Sequence, residues 1–170
     1  MFTFVPEYIF ETFDAVTPKF LESIGIKGVI LDIDNTLEPY ENLMPGHQVV
    51  DWLRSLWNAG IKTAIVSNNN RERVEKFNSE LQMPAYYKAA KPFKRNLLRA
   101  MTQMGTDAGS TLLIGDQVFT DVWAAHNAKI PAILVPPIKD KRDAFTRFKR
   151  LLERPVIKKY RNKQEMEKKN

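Results

Sequence analysis

Short runs of aliphatic residues alternate along this chain with stretches in which apolar side chains recur every three or four positions. Gly28 to Ile33 reads as a buried strand. Behind it Val49, Val50, Trp52, Leu53, Leu56 and Trp57 fall on one helical face, and Gly60 ends that helix. Thr63 to Val66 is the next strand, followed by a helical stretch from Arg71 to Leu81. Ala85 to Lys88 is a weaker strand, and a helix opens near Pro92 and runs towards Met104. Thr111 to Ile114 is a further strand, Thr120 to Asn127 a short helix and Ala132 to Val135 a last strand. Alternation of this kind predicts an α/β fold, a parallel sheet with helices on both faces. Ligands of such sheets bind beyond the carboxyl ends of the strands, so polar residues there carry the most information.

Ahead of the first of these strands lies a lead in two pieces, Pro6 to Val16 and Pro18 to Ile24, expected to be helical. Thr17 is a candidate N-cap before Pro18 at the first helical position. The lead's aromatics (Phe2, Phe4, Tyr8, Phe10, Phe13 and Phe20) outnumber what one flanking helix needs. They predict packing against the sheet, with an amphipathic surface for a bilayer or partner as the competing expectation.

Composition narrows the class. The 170 residues suffice for one domain, placed at 1–138, with a helical or partly disordered tail over 139–170. There is no cysteine, which removes disulfides, thiolate metal sites and cysteine nucleophiles and suits a reducing cytosol. No run of about 18 apolar residues and no secretory pattern is visible. The net charge of +6 is lopsided: residues 139–170 hold 13 Lys/Arg against 5 Asp/Glu, whereas residues 1–138 are slightly acidic. Such a tail is either a solvated end or an element drawn to anionic lipid or nucleic acid.

The strand ends supply the candidate chemistry. The first ends in Asp32-Ile33-Asp34-Asn35-Thr36. Two carboxylates so close repel unless a divalent cation joins them, and one could attack phosphorus while the other handles a proton. An acidic pair opening an ordinary loop remains the plainer alternative. Ser67-Asn68-Asn69-Asn70 ends the second strand and leads into a helix, as a phosphate cradle or as a turn with its cap. Lys91, before Pro92, could neutralise phosphoryl charge. Gly115-Asp116-Gln117 ends another strand, with Asp121 shortly after, and Asp116 is a candidate metal ligand. His47 and His126 are assigned to the surface or to packing.

Taken in order, Asp-x-Asp, Ser, Lys and Asp at four successive strand-to-helix junctions resemble the four motifs of the haloacid dehalogenase (HAD) superfamily. That resemblance implies a Rossmann-like HAD fold and a magnesium-dependent phosphatase. It gives Asp32 the nucleophile's role, with an aspartyl-phosphate intermediate, and makes Asp34 the acid and base. It assigns the phosphoryl oxygens to Ser67 and Lys91, with Asn68 beside them. It assigns Mg2+ to Asp32, Asp116 and the backbone carbonyl of Asp34.

HAD enzymes usually carry cap domains between these motifs, but here Ser67 lies 33 positions after Asp34 and Lys91 24 positions after Ser67. Neither interval holds a cap, so an open site serving a phosphate on a large substrate is expected. Asp32 to Leu37, Gly115-Asp116-Gln117 and Thr120-Asp121-Val122, with the lead's Pro6, Pro18 and Gly25, resemble the phosphatidylglycerophosphate phosphatase branch of the capless group. The branch implies a phospholipid substrate and a cytoplasmic enzyme at the inner face of the membrane. A polynucleotide-end or phosphoprotein phosphatase, and a non-catalytic interaction protein, are the alternatives. Against nucleic acid, the tail has only Phe145, Phe148 and Tyr160 as stacking platforms.

Overall fold

Alternation within single strands sets the architecture. In β2 (Gly28–Leu31), Val29 and Leu31 join one apolar cluster while Ile30 joins another. β5 (Thr111–Gly115) divides likewise, with Leu112 and Ile114 on one side and Leu113 on the other. Side chains of a strand point alternately to opposite faces, so strands apolar on both faces must be covered twice. One face is covered by α1 (Pro18–Ser23), α2 (His47–Asn58) and α3 (Arg71–Asn78), through Leu21, Leu53, Leu56, Val74 and Phe77. The other is covered by α4 (Arg95–Met104) and α5 (Trp123–Asn127), through Leu97, Met101, Ala124 and Ala125.

The computed structural model describes residues 4–139, 155–158 and 160. With β1 (Tyr8–Ile9), β3 (Lys62–Val66), β4 (Ala85–Tyr86) and β6 (Ala132–Leu134), the six strands run in the order β1-β6-β5-β2-β3-β4, and every pairing is parallel. The chain builds from β2 through β3 to β4, then crosses back to place β5 on the other side of β2. The crevice at that reversal, between the ends of β2 and β5, is where an open parallel sheet binds ligands.

Several expectations need correction. The lead is not wholly helical: Tyr8–Ile9 forms an edge strand beside β6, because Glu7 N and Phe10 N donate to the Ala132 and Leu134 carbonyls. Its second piece is α1, with the Thr17 hydroxyl accepting from Phe20 N. The lead's described aromatics are packed, not displayed: Phe13 meets Trp52 edge-on, Phe20 meets Tyr8 and Phe10, and Phe4 meets Phe119 and Trp123. Trp52 also anchors the lead by donating to the Val16 carbonyl at 2.9 Å. In α2 the buried stripe is Val49, Trp52, Leu53 and Leu56, whereas Trp57 lies at its edge, more than a third exposed.

The helix expected from Pro92 starts at Arg95, because Phe93 N closes a turn on the Ala90 carbonyl. The helix expected from Thr120 begins earlier, as a π turn over Val118–Val122 that continues into α5. Of the basic tail beyond Lys139, only residues 155–158 and 160 are described, in helical conformation; Val156 and Ile157 pack on the second cluster, and the Tyr160 hydroxyl accepts from Ile9 N. The remaining tail lies outside the described residues. No helix among the described residues is long and apolar enough to cross a membrane.

Candidate active site

β2 and β5 are in register, Leu31 opposite Ile114, so the residues that follow them arrive side by side. Asp32 follows β2 and donates its backbone N–H to the Ile114 carbonyl at 3.1 Å. Asp116 follows β5. Both side chains are buried, and the Thr36 hydroxyl lies between them, 3.4 Å from Asp32 Oδ2 and 3.2 Å from Asp116 Oδ1. A hydroxyl has one proton, so it can satisfy only one of the two carboxylates at a time.

Asp121 completes the acidic group, since Asp32, Asp116 and Asp121 each bring an oxygen within 4.8 Å of the others. Its two oxygens are already engaged. Oδ1 accepts from Lys91 Nζ at 2.6 Å, and Oδ2 accepts from Gln117 N at 3.1 Å. The π turn brings Asp121 back over β5, an arrangement often found where a helix serves a site. Asp121 is thus fitted to hold Lys91, which leaves Asp32 and Asp116 as the pair with oxygens to offer a cation.

Lys91 is itself buried, and its ammonium also donates to Asp32 Oδ1 at 2.7 Å. Burial works against its charge, but the Asp121 and Asp32 carboxylates outweigh burial and push its pKa upward. Lys91 is a fixed cation. Burial raises Asp32 from 3.8 to about 6, against the pull of Lys91 and with the push of Asp121. Burial, then Asp121 and Asp32, raise Asp116 well above its ordinary value. Three buried carboxylates with one fixed ammonium are short of positive charge. Oxygen donors of this kind suit a hard divalent cation such as Mg2+.

Ser67 follows β3 and is buried, its hydroxyl accepting from Asn69 N at 3.1 Å. Asn68 closes on the backbone of Lys91, Oδ1 accepting from Lys91 N at 2.7 Å and Nδ2 donating to the Lys91 carbonyl at 3.2 Å. Its side chain therefore places Lys91. Asp32, Asp34, Ser67, Asn68 and Lys91 all line one open cleft of about 320 Å3, with Tyr40, Gln117 and Thr120 at its sides. The sequence-predicted residues thus converge, apart from Asp116, which stands behind Asp32 beside Thr36.

Asp34 is turned from the acidic group. Its Oδ2 accepts from Asn69 Nδ2 at 2.7 Å and its Oδ1 from Arg73 Nε at 3.0 Å. Sequence reading missed Arg73, although a signal existed: it precedes Phe77 by four positions and so shares the buried stripe of α3. A buried arginine calls for a partner. His47 opens α2 at the surface, and the His126 ring nitrogen lies 3.2 Å from Glu7; neither reaches the cleft.

Residues 10–135 match the model of the haloacid dehalogenase-like hydrolase family. The chain is 34% identical over 154 residues to the Bacillus subtilis (strain 168) protein named "Probable phosphatase YqeG", covering 91% of this chain and 90% of that one. Among solved structures it is similar in fold to the cobalt-bound deoxy-D-mannose-octulosonate 8-phosphate phosphatase of Haemophilus influenzae. That match has a TM-score of 0.55 and 19% identity over 69% of this chain and 81% of the other. It is likewise similar to a HAD-superfamily hydrolase from Ehrlichia chaffeensis, with a TM-score of 0.54 and 16% identity over 75% of this chain and 98% of that one. With Asp32, Asp34, Ser67, Lys91 and Asp116 gathered within that matched span, the chain belongs to the haloacid dehalogenase-like hydrolase family.

Proposed function

We propose that this protein is a magnesium-dependent phosphomonoesterase that works through an aspartyl-phosphate on Asp32 and acts on a membrane-displayed phosphate such as that of phosphatidylglycerophosphate. The observation that carries the chemistry is the buried Lys91 ammonium shared between Asp32 and Asp121 at the floor of an open cleft. Family membership and the 34% identity to a protein named as a phosphatase support the same reading.

Asp32 Oδ attacks phosphorus, and the bond to the leaving oxygen breaks as that oxygen takes a proton from Asp34. A water then gives a proton to Asp34 while its oxygen bonds phosphorus, and the phosphorus–oxygen bond to Asp32 breaks. Lys91 and Ser67 hold the phosphoryl oxygens throughout. Asp32, Asp116 and the Asp34 backbone carbonyl would hold Mg2+, which supplies charge neutralisation at the phosphoryl group.

The substrate's class is argued from the cleft's surroundings. Tyr40, Leu43, Met44, Tyr87, Phe93 and Ile138 are exposed, and all stand in loops that follow the carboxyl ends of strands. Phe93, two residues past Lys91, is 72% exposed. The exposed cations Lys88, Lys94 and Arg95 stand among them. An apolar rim with basic residues suits insertion among anionic lipid head groups better than contact with a small solute. The lead's described aromatics are packed and offer no such surface among the described residues.

The test has two stages. Magnesium-dependent phosphate release from an aryl phosphate is expected first, and a lack of it would end the enzymatic reading. Phosphatidylglycerophosphate in anionic vesicles should then be turned over faster than a phosphorylated oligonucleotide or phosphoprotein. Phe93→Ala should slow the vesicle reaction and spare the aryl phosphate. Preference for the oligonucleotide would move the assignment to polynucleotide ends.

A further inference from the structure

Arg73 is almost completely buried, yet it touches no residue to which the reaction assigns a bond change except Asp34. Its guanidinium spans two segments. Nε donates to Asp34 Oδ1 at 3.0 Å, and Nη1 donates to the Leu43 carbonyl at 3.1 Å. Its Cζ lies 5.4 Å from the centre of the Phe77 ring, which fixes the guanidinium plane from one side. Nη2 is buried with no hydrogen-bond partner among the described residues. A buried guanidinium with one whole nitrogen unpartnered is costly, and so calls for a role other than stability.

Leu43 belongs to the flap between Leu37 and Gly46, which borders the cleft at Tyr40. The flap's base is closed by Glu38, which accepts from Gly46 N at 2.6 Å and Asn42 Nδ2 at 2.8 Å. Its crown carries the exposed Tyr40, Leu43 and Met44, and Tyr40 lines the cleft. Between base and crown, the Leu43 carbonyl is tied to α3 through Arg73. The α3 end of the tie is rigid, because Arg73 N also donates to the N-cap side chain of Asn70 at 2.9 Å.

We infer that Arg73 is a positioning residue that couples the flap to the acid–base carboxylate, fixing the rotamer of Asp34 by the same guanidinium that sets the height of Leu43. The inference rests on the proposed role of Asp34. The five N–H groups of a guanidinium lie in one plane, so two acceptors bound through Nε and Nη1 have a fixed relation to each other. Displacement of the flap by a bound substrate therefore turns the guanidinium, and with it the Asp34 carboxylate. Asn69 supplies the second hold on that carboxylate and keeps it near the cleft as Arg73 moves. A lysine can meet either acceptor but cannot hold both in one plane.

The experiment compares Arg73→Lys and Arg73→Met, alone and combined with Asp34→Asn, after thermal melts have established folding. With an aryl phosphate, kcat should fall about tenfold in Arg73→Lys and about a hundredfold in Arg73→Met, while KM changes less than about threefold. In the Asp34→Asn background, Arg73→Met should lower residual turnover by less than about twofold, because its route to the chemistry is already gone. Independently of activity, limited proteolysis at Leu43-Met44 should quicken in Arg73→Met and be partly restored in Arg73→Lys. Additive kinetic losses, or unchanged flap protection, would overturn the coupling. An inactive wild type would instead refute the enzymatic reading, and flap protection would still decide whether Arg73 ties the flap.

Discussion

A Cβ added to Gly115 would lie 2.4 Å from Cγ of Asp121, well inside van der Waals contact. The last residue of β5 must therefore be glycine if the π turn is to bring Asp121 down onto Lys91. Gly115→Ala should push Asp121 outward, break its bond to Lys91 and release the ammonium from its fixed place. The expected result is a folded protein with kcat for an aryl phosphate lowered by about two orders of magnitude, in the range seen when a preorganised charge is lost. Steady-state kinetics beside a thermal melt check this, and wild-type turnover would show that Lys91 needs no such support.

The two carboxylates after β2 should fail differently. Asp32→Asn should abolish turnover with the fold intact, because an amide is a poor nucleophile and a weaker cation ligand. Asp34→Asn should retain phosphoryl uptake and accumulate phosphoprotein, because water activation is lost. Rapid-quench labelling with a transferable phosphoryl donor separates them. Label on Asp32→Asn, or normal phosphate release by Asp34→Asn, would reverse the roles.

Magnesium should stabilise the fold in a pH-dependent way. Without a cation, the folded state holds Asp32 at about 6 against 3.8, and Asp116 is raised as well. The folded state then binds more protons than the unfolded chain across this window, so stability falls as pH rises through it. A cation replaces those protons. The gain in melting temperature on adding Mg2+ should therefore be larger near about pH 7.5 than near about pH 5. An Asp116→Asn variant should lose most of the gain. Equal shifts at both pH values would separate metal binding from these carboxylates.

The basic tail should be divided at Tyr160. Deleting residues 161–170 removes Arg161, Lys163, Lys168 and Lys169 with Glu165 and Glu167. Binding to anionic vesicles should weaken and become less salt-sensitive, as counter-ion screening acts within about 10 Å at 0.1 M. Turnover of an aryl phosphate should hold. Deleting from Arg154 onward should also lower the melting temperature, because Val156, Ile157 and Tyr160 pack on the body. Co-sedimentation at several salt concentrations and thermal melts check both, and equal vesicle binding by the full and shortened chains would take the tail out of membrane attachment.

The central strands and the covered faces were legible in the sequence because buried parallel strands are near-continuous aliphatic runs and amphipathic helices repeat every 3.6 residues. Tyr8–Ile9 was not legible: Tyr8, Ile9 and Phe10 suit a strand locally, but a two-residue edge strand exists only through its pairing with β6. Asp32, Ser67, Lys91 and Asp116 could be found because each follows a strand. Arg73 and Asn69 could not be ranked that way, as one sits inside a helix and the other in a run of three asparagines. Asn68, expected beside the substrate, lines the cleft, and its side chain also binds the Lys91 backbone. One sequence cannot tell such supporting amides from contacting ones, since both follow the same strand end.

The hydrogen bond from Ile9 N to the Tyr160 hydroxyl joins positions 151 residues apart. β1 also pairs with β6, the last strand in chain order. During synthesis, Tyr8 and Ile9 therefore leave the ribosome long before either neighbour exists. Their edge stays open while β2, β3 and β4 can already associate, and contacts so distant in sequence close late because loop entropy opposes them. The exposed interval invites chaperones or pairing with other nascent chains. A circular permutant that joins the lead directly behind Tyr160 would shorten the wait, and should refold faster with less aggregation.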